Sequence, residues 1–236
     1  MKNVIITGSE GKIGRVFVEH LSKKGFHIIG LDIVDQVNKD IEFYNTDITK
    51  IDEVKSLISN IKKPIDALIN NAGVAVFTPF EERTIEEIDW VIDVNLKGNI
   101  NMTKLVYENH FKPNLKGNII NIGSIYGLIS SNMELYGHND RRSSEIYGAT
   151  KAATIQLTKY FATYMSKYNV RVNCISPGGV FNDQSDYFVN NYNKRVPLAR
   201  MANDYELNGA LEFLLSDKSS YITGQNIIID GGFTSW

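Results

Sequence analysis

Short runs of isoleucine, valine and leucine alternate with longer helical patterns along the whole 236-residue chain. This alternation predicts strand–helix–strand units, which assemble into a parallel sheet. The runs hold few polar residues, as expected of strands that helices cover on both faces. We therefore predict an α/β fold of three layers with about seven parallel strands, in one domain spanning residues 1–236. The predicted strands are residues 3–7, 27–32, 41–45, 66–70, 118–124, 170–176 and 226–232.

Charge and apolar length exclude several classes of function. The formal net charge is −2, so no basic surface for nucleic acid or an anionic membrane is expected. No apolar stretch is long enough to span a membrane, and the first residues do not resemble a signal peptide. The single cysteine, Cys174, lies in an apolar run and is expected to be a buried thiol. A cytoplasmic protein is predicted.

The sequence Thr-Gly-Ser-Glu-Gly-Lys-Ile-Gly, residues 7–14, joins the first predicted strand to the first helix. Glycine lets the backbone turn tightly and lets a pyrophosphate approach, and a helix N-terminus offers N–H groups to phosphates. The position of this loop predicts a Rossmann-type dinucleotide site, although a plain tight turn is the alternative. The residues expected to contact the dinucleotide here are Gly8, Glu10, Gly11, Lys12, Ile13 and Gly14.

Asp32, at the end of the second predicted strand, bears on the choice of cofactor. A carboxylate there can accept hydrogen bonds from the adenosine ribose and would repel a 2′-phosphate, so NAD is predicted over NADP. Lys12 and Arg15 are the opposing signal, because either could meet a phosphate. Asp32 could also simply begin the next turn.

Two further strand ends are candidates for the adenosine side of the cofactor. Asp47, followed by Ile48, could bind the adenine amino group or could cap the next helix. Asn71, Ala72 and Gly73 follow the fourth strand, where small residues would let the backbone lie against a dinucleotide or simply form a turn.

Tyr147 and Lys151 lie four positions apart in a predicted helix, so their side chains share one face. A lysine ammonium beside a phenol stabilises the phenolate, which makes a tyrosine usable as a general acid/base near neutral pH. The pair alone is a weak signal. Two loop-like stretches, 125–146 and 177–202, start where strands end, and are expected to form the walls and lid of a substrate site.

Several motifs follow one another in a fixed order. They are Thr-Gly-x-x-Gly-x-x-Gly at 7–14, Asn-Asn-Ala-Gly at 70–73, Asn95 in DVNLKG, Ser124 in INIGSIYG, Tyr147-x-x-x-Lys151, Pro177-Gly178 in NCISPGGV, and ITGQNIIIDGG at 222–232. Together they resemble the short-chain dehydrogenase/reductase family, in its short type, over essentially the whole chain.

The resemblance implies an NAD(P)-dependent oxidoreductase that interconverts a secondary alcohol and a ketone. It implies that Tyr147 is the general acid/base and that Lys151 holds the nicotinamide ribose and stabilises the phenolate. Ser124 would bind the substrate oxygen, and Asn95 would kink its helix and hold a water that links Lys151 to solvent. No metal is implied. The residues that would line the nicotinamide are Pro177, Gly178 and Val180.

The resemblance also implies a homo-oligomer, either a dimer or a tetramer. Side chains on the Tyr147 helix would suit an interface, although they could equally be core residues. They are Tyr160, Phe161, Tyr164 and Met165.

Two departures from the family pattern concern the substrate. The glycine spacing of Gly8, Gly11 and Gly14 is similar to that of longer members, many of which act on nucleotide sugars. Ser124 and Tyr147 are 23 positions apart, more than is usual in the family. The intervening stretch includes His138, Asn139, Asp140, Arg141 and Arg142.

We hypothesise that Arg141 or Arg142 binds a carboxylate or phosphate of the substrate, since guanidinium suits both groups; a solvated surface pair is the alternative. This insertion and the closing Asp-Gly-Gly-Phe-Thr-Ser-Trp resemble bacterial reductases associated with flagellin glycosylation and nonulosonic sugars. A sugar-derived substrate is therefore predicted. The alternatives are a 3-oxoacyl thioester or a polyol, a nucleotide-sugar epimerase, for which the chain is short, and a non-catalytic dinucleotide sensor.

Overall fold

The computed structural model describes residues 2–37, 39–137 and 142–236. Seven strands form one sheet in the spatial order β3-β2-β1-β4-β5-β6-β7, and all neighbouring pairs are parallel. The predicted α/β fold with a seven-stranded parallel sheet is confirmed. The strands are β1 Asn3–Thr7, β2 His27–Asp32, β3 Glu42–Asn45, β4 Ala67–Asn70, β5 Gly117–Ile122, β6 Val170–Pro177 and β7 Asn226–Ile229.

Helices cover both faces of this sheet. They are α1 Lys12–Lys23, α2 Ile51–Asn60, α3 Ile85–Ile92, α4 Asn99–Val106, α5 Lys112–Asn114, α6 Glu145–Met165, α7 Asp186–Asn193 and α8 Asn208–Leu215. Apolar side chains of α2, α4 and α6 form a core with one face of the sheet, and those of α1 and α8 form a second core with the other face. Along β1, Ile5 joins the first core while Val4 and Ile6 join the second, because successive side chains of a strand point to opposite faces.

The long helical stretch predicted after the fourth strand is present, but it is interrupted twice. Wider π-helical turns at Asp93–Gly98 and Tyr107–Phe111 separate α3, α4 and α5. Asn95 lies inside the first of these turns. Such π turns often occur at functional sites, and this one agrees with the implied irregularity at Asn95.

Two helices were not predicted. α7 lies within the stretch 177–202, and its sequence DYFVNNYN is rich in residues with modest helix propensity. The Ser185 hydroxyl caps it by accepting from the Phe188 amide at 3.4 Å. α8 is a short apolar run, and periodicity alone cannot assign such a run to helix or strand. A smaller correction concerns β5, which ends at Ile122, so that Ser124 lies beyond the strand rather than in it.

A third apolar cluster lies beside the carboxyl end of the sheet. It joins the two long stretches predicted to flank the substrate and brings in the C-terminal residues through Phe233, whose ring stacks on Tyr192 at 4.9 Å. Tyr136 and Phe188 also pack ring against ring, at 5.2 Å. The buried members of this cluster are Ile125, Leu135, Tyr136, Tyr192, Val196, Met201 and Phe233.

The thiol of Cys174 is fully buried in β6, and burial raises its pKa.

In the described ranges, no helix combines the length and the apolar character needed to cross a membrane.

Candidate active site

The first two turns of α6 carry the tyrosine and the lysine. The Ser144 hydroxyl caps this helix by accepting a hydrogen bond from the Tyr147 amide at 3.3 Å. Lys151 is only 4% exposed, and its ammonium donates to the Ile122 carbonyl at 2.8 Å. That nitrogen lies 5.6 Å from the centre of the Tyr147 ring. Since no described carboxylate forms an ion pair with Lys151, a backbone carbonyl at the end of β5 holds the ammonium beside the phenol.

Ser124 reaches the same place from the end of β5. Its backbone is extended, and its hydroxyl oxygen accepts from the Tyr126 amide at 3.1 Å. That bond uses a lone pair, so the hydroxyl proton is left to donate to another oxygen. The predicted contact of Ser124 with a substrate oxygen stays a prediction.

Two glycines allow the turn after Ser124 to lie directly against α6. A Cβ on Gly127 would lie 2.6 Å from the carbonyl carbon of Lys151, and one on Gly148 would lie 3.0 Å from the Tyr126 carbonyl oxygen. Neither glycine was singled out from the sequence, because the need for it arises only when the turn and the helix pack together. These contacts bring the segment after Ser124 against the helix that carries Tyr147, although the two residues are 23 positions apart in sequence.

The Asn95 amide is held by backbone and side-chain groups. Its Oδ1 accepts from the Val74 amide at 2.7 Å, and its Nδ2 donates to the Val74 carbonyl at 2.9 Å and to Thr150 Oγ1 at 3.2 Å. The Asn95 main-chain carbonyl accepts from Asn99 Nδ2 at 2.8 Å. Both side-chain donors are used, while Oδ1 keeps one acceptor position. The implied water at Asn95 stays a prediction.

These side chains surround a cavity of about 580 Å³ at the carboxyl end of the sheet. Both of the long stretches predicted to wall the substrate line it. The predicted site residues that line it are Lys12, Ile13, Asn71, Gly73, Ser124, Tyr147, Lys151, Pro177, Gly178 and Val180. The predicted site residues that do not line this cavity are Gly8, Glu10, Gly11, Gly14, Asp32, Asp47, Ile48, Ala72 and Asn95.

The glycine loop has a shape that fits a dinucleotide. Gly8 has a φ of +65°, and a Cβ on Gly14 would lie 1.9 Å from the Gly8 carbonyl oxygen, so both positions require glycine. No described side chain caps the N-terminus of α1, which begins at Lys12. Its first backbone N–H groups are therefore available to phosphate oxygens. Asn71, directly after β4, joins the end of that strand to the glycine loop: its side-chain amide donates to the Gly8 carbonyl at 2.8 Å.

The Asp32 carboxylate anchors the same loop. It accepts from the backbone amides of Glu10 and Ile33, each at 2.8 Å, and from Val34 at 3.3 Å. Two carboxylate oxygens offer about four acceptor positions, so capacity for a ribose hydroxyl remains. Asp32 thus holds the loop backbone, and its contact with the ribose stays a prediction.

The basic residues that opposed the NAD prediction both make contacts within the protein. Arg15 donates to the Glu10 carbonyl at 2.7 Å, and its Nε lies 3.7 Å from the Glu10 carboxylate, which is itself buried. Lys12 reaches across the cavity, where its ammonium donates to Asn182 at 3.2 Å and lies 6.0 Å from the centre of the Phe181 ring. Because the Glu10 side chain is buried and its main-chain N–H donates to Asp32, the predicted contact of Glu10 with the cofactor stays a prediction.

Asp47 and Ile48 also have structural roles. Asp47 Oδ1 accepts from the Thr49 amide at 2.9 Å and from its hydroxyl at 2.8 Å, just before α2. The Ile48 side chain is buried against Gly98. The Asp47 side chain therefore holds the turn that precedes α2, whose N-terminus carries no side-chain cap hydrogen bond. The predicted cofactor contacts of Asp47 and Ile48 stay predictions.

Most of the insertion residues singled out from the sequence, His138, Asn139, Asp140 and Arg141, lie outside the described residues. Arg142 is described: its guanidinium donates to the Gly137 carbonyl at 3.2 Å, and its amide donates to the Phe77 carbonyl at 3.0 Å. Among the described residues that line the cavity, Arg142 does not appear. Anion binding by either arginine stays a prediction.

Sequence reasoning missed the aromatic walls of the cavity. Burial raises the pKa of Tyr192 to about 12, and burial together with a hydrogen bond to Tyr136 raises the pKa of Tyr126. These phenols stay protonated and neutral. The Tyr192 hydroxyl accepts from the Gly179 amide at 2.5 Å. The density of tyrosines in the two long stretches was the signal that could have found them. The aromatic wall residues are Phe77, Tyr126, Tyr136, Phe188 and Tyr192.

Known proteins share this architecture. A short chain dehydrogenase from Leptospira borgpetersenii, solved with bound NAD+, is 44% identical, with a TM-score of 0.93 over 99% of this chain and 92% of that chain. A family model described as enoyl-(acyl carrier protein) reductase matches residues 9–234. The chain belongs to the short-chain dehydrogenase/reductase family. It is an NAD(P)-dependent oxidoreductase of that family.

Other members of the family differ in substrate and cofactor. A 3-oxoacyl-[acyl-carrier-protein] reductase of Thermotoga maritima is 31% identical, covering 98% of this chain and 97% of the relative. An NAD-dependent glycerol dehydrogenase of Listeria innocua is 30% identical, covering 99% and 94%. The structure of a gluconate 5-dehydrogenase from Burkholderia cenocepacia, in complex with NADP and tartrate, is 26% identical, with a TM-score of 0.88 over 100% of this chain and 96% of that chain.

Proposed function

We propose that this short-chain dehydrogenase interconverts a secondary alcohol and a ketone on a sugar or sugar-derived substrate, with NAD as its preferred cofactor and Tyr147 as general acid/base. One observation carries the proposal. Ser124, Tyr147 and Lys151 line the same cavity, with the lysine ammonium fixed 5.6 Å from the centre of the phenol ring.

The residues of this chain handle the substrate oxygen and its proton. The Ser124 hydroxyl donates to the carbonyl oxygen and stabilises the negative charge that develops on it. Tyr147 transfers its proton to that oxygen when a ketone is reduced, and takes it back when an alcohol is oxidised. The Lys151 ammonium stabilises the phenolate that remains. A bound nicotinamide dinucleotide supplies or accepts the hydride.

The residues that would hold the cofactor lie along one edge of the sheet. The amides at the start of α1 would bind the pyrophosphate, Asp32 the adenosine ribose, and Lys151 the nicotinamide ribose. Two observations support NAD: the carboxylate of Asp32 would repel a 2′-phosphate, and the Leptospira dehydrogenase holds NAD+. The gluconate dehydrogenase with NADP shows that the family also uses the other cofactor.

A polar, sugar-like substrate suits the cavity. Aromatic faces pack against the C–H groups of a sugar ring, and the neutral Tyr126 phenol can hydrogen-bond to a hydroxyl. The glycerol and gluconate dehydrogenases among the relatives act on polyhydroxylated compounds, as their names state. More narrowly, we propose that the substrate is a nonulosonic sugar or a sugar used in flagellin glycosylation. The Thermotoga reductase favours the second candidate, a 3-oxoacyl thioester.

A homo-oligomer that uses α6 is also proposed. Tyr160 and Tyr164 are both exposed, and their rings stack at 6.0 Å. Met165 is buried and Phe161 packs partly against the core, so the two tyrosines are the interface candidates. Light scattering should give a dimer or tetramer mass, and a monomer mass would overturn this part of the proposal.

The experiment has two stages. Thermal-shift assays with NAD, NADH, NADP and NADPH identify the preferred cofactor. Turnover is then measured with keto-sugars, gluconate, glycerol and acetoacetyl-CoA, the last as a 3-oxoacyl thioester. The proposal expects the largest shift with an NAD form and the highest kcat/KM with a sugar-derived compound. A larger shift with an NADP form would contradict the proposed cofactor. A kcat/KM highest for the thioester would contradict the proposed sugar substrate.

A further inference from the structure

Thr150, in α6, forms hydrogen bonds with both Tyr147 and Asn95. It lies between Tyr147 and Lys151 in sequence and is only 2% exposed. Its hydroxyl donates to the Tyr147 carbonyl at 2.9 Å and accepts from Asn95 Nδ2 at 3.2 Å. One side chain thus touches both the helical turn that carries Tyr147 and the π turn that carries Asn95.

The direction of these bonds follows from the number of protons. A threonine hydroxyl has one proton, and the Tyr147 carbonyl can only accept, so the Thr150 proton points there. Toward Asn95, Thr150 Oγ1 can therefore act only as an acceptor, and it faces the amide nitrogen. In the reversed orientation two oxygens would face each other, leaving buried polar groups without partners.

The orientation of the Asn95 amide in turn fixes the neighbouring loop. With Nδ2 toward Thr150, Oδ1 faces the Val74 amide and Nδ2 also reaches the Val74 carbonyl. The adjacent Gly73 packs against the lysine: a Cβ there would lie 3.4 Å from Lys151 Nζ and 3.4 Å from Asn95 Oδ1. The loop held by Asn95 is thus one wall of the space around the ammonium.

We propose that Thr150 is a positioning residue that sets the orientation of the Asn95 amide and, through Val74, the place of the Gly73 loop against Lys151. It is buried and does not line the cavity. Its effect on catalysis rests on the function proposed above, whereas its effect on the Val74 hydrogen bond does not.

α6 supplies a matched control. Thr154 lies one turn further along the same helix and is 6% exposed. Its hydroxyl donates to the Thr150 carbonyl at 2.9 Å. Thr150→Val and Thr154→Val therefore remove the same group from similar burial, and only the first removes a bond to Asn95.

The first measurement is hydrogen–deuterium exchange of the Val74 amide in cofactor-free protein. We expect Thr150→Val to accelerate this exchange by roughly tenfold, the factor that corresponds to losing one hydrogen bond. Thr150→Ser, which keeps the hydroxyl, should restore slow exchange, and Thr154→Val should leave it unchanged. If Thr150→Val does not fold, Thr150→Ala takes its place, because it also removes the hydroxyl and should accelerate the exchange to the same extent.

The second measurement is steady-state turnover. Using the compound from the panel with the highest kcat/KM, Thr150→Val should lower kcat by about tenfold or more with little change in KM, and Thr150→Ser should recover most of kcat. Equal effects of Thr150→Val and Thr154→Val, in exchange or in kcat, would overturn the inference. Absence of turnover in the unmodified enzyme would instead contradict the proposed function, and Val74 exchange would still decide the role of Thr150.

Discussion

Gly127 packs directly on the backbone of Lys151: a Cβ at Gly127 would lie 2.6 Å from the Lys151 carbonyl carbon and 2.8 Å from its carbonyl oxygen. Neither atom can move without displacing α6. This contact places the turn that follows Ser124 against the helix that carries Tyr147. The relative position of the serine and the tyrosine therefore depends on the absence of a side chain at residue 127.

Gly127→Ala should separate the turn from the helix. We expect the free energy of unfolding to fall by about 1–3 kcal/mol from overpacking. We also expect kcat to fall by roughly 100-fold, because small misplacements of reacting groups are costly. Denaturant unfolding and turnover measure the two effects.

The control for that variant is Gly209→Ala in α8, where no described atom lies within 4 Å of an added Cβ. It should leave both quantities unchanged or raise stability slightly. Full activity in Gly127→Ala would show that the close contact is unnecessary.

Asp32→Asn should weaken the preference for NAD, because the repulsion of a 2′-phosphate is lost. We expect the ratio of kcat/KM with NAD to kcat/KM with NADP to fall by at least about tenfold. Asp35→Asn is the matched control: it removes the same charge from an exposed position in the following loop. A ratio that moves equally in both variants would mean that net charge, rather than contact with the ribose, sets the preference.

The arginines of the insertion are tested through KM. If the substrate carries a carboxylate or phosphate, Arg141→Ala or Arg142→Ala should raise its KM by about tenfold, since a charge-assisted hydrogen bond is lost. The KM of a neutral compound such as glycerol should not change. Unchanged KM values for gluconate in both variants would end the anion hypothesis.

An acid-sensitive contact lies in the segment between β6 and α8. The Glu206 carboxylate accepts hydrogen bonds from the Arg200 guanidinium at 2.6 Å and from the main-chain amide of Asn203 at 2.8 Å. These bonds lower the pKa of Glu206 to about 2. Because this pKa is lower in the folded state than in the unfolded state, the stabilisation is complete above a pH of about 4.3 and is lost as the pH falls toward 2.

Glu206→Gln should therefore be less stable than the unmodified protein at neutral pH, and the difference should shrink as the pH falls toward 2. Denaturant unfolding over that range measures it. Glu108→Gln is the control, at an exposed glutamate with no ion pair in the described ranges. A difference that is independent of pH would contradict the account.

The sheet could be predicted closely because its central strands are covered on both faces, so that each holds a short buried run such as residues 28–31 of β2. Helix α7 could not, since its asparagine-rich sequence has little intrinsic preference for helix and depends on Tyr192 packing in the third cluster. Local sequence also failed to mark the end of β5 at Ile122. Gly123 still donates to the Ile175 carbonyl at 2.7 Å, and the Ser124 backbone is still extended, although neither residue belongs to the strand.

For the site, order along the chain was informative where side chains project into the cavity, as for Ser124, Tyr147 and Lys151. It was uninformative for groups whose roles arise from packing. Thr150 is an ordinary helix residue until the π turn brings Asn95 against it. The contact of the Lys12 ammonium with Asn182 across the cavity could not be predicted either, because it depends on the path of a loop far away in sequence. The predicted contact of Lys12 with the cofactor stays a prediction.

The most direct test of the proposed chemistry is Tyr147→Phe, assayed for turnover and, by fluorescence titration, for NADH binding. The variant loses the only hydroxyl assigned to proton transfer and keeps the ring, so we expect turnover to fall by at least about 100-fold with NADH affinity retained. Tyr221→Phe, the same change at a fully exposed tyrosine that does not line the cavity, should retain full activity. Turnover at the unmodified rate in Tyr147→Phe would contradict the assignment of Tyr147 as general acid/base.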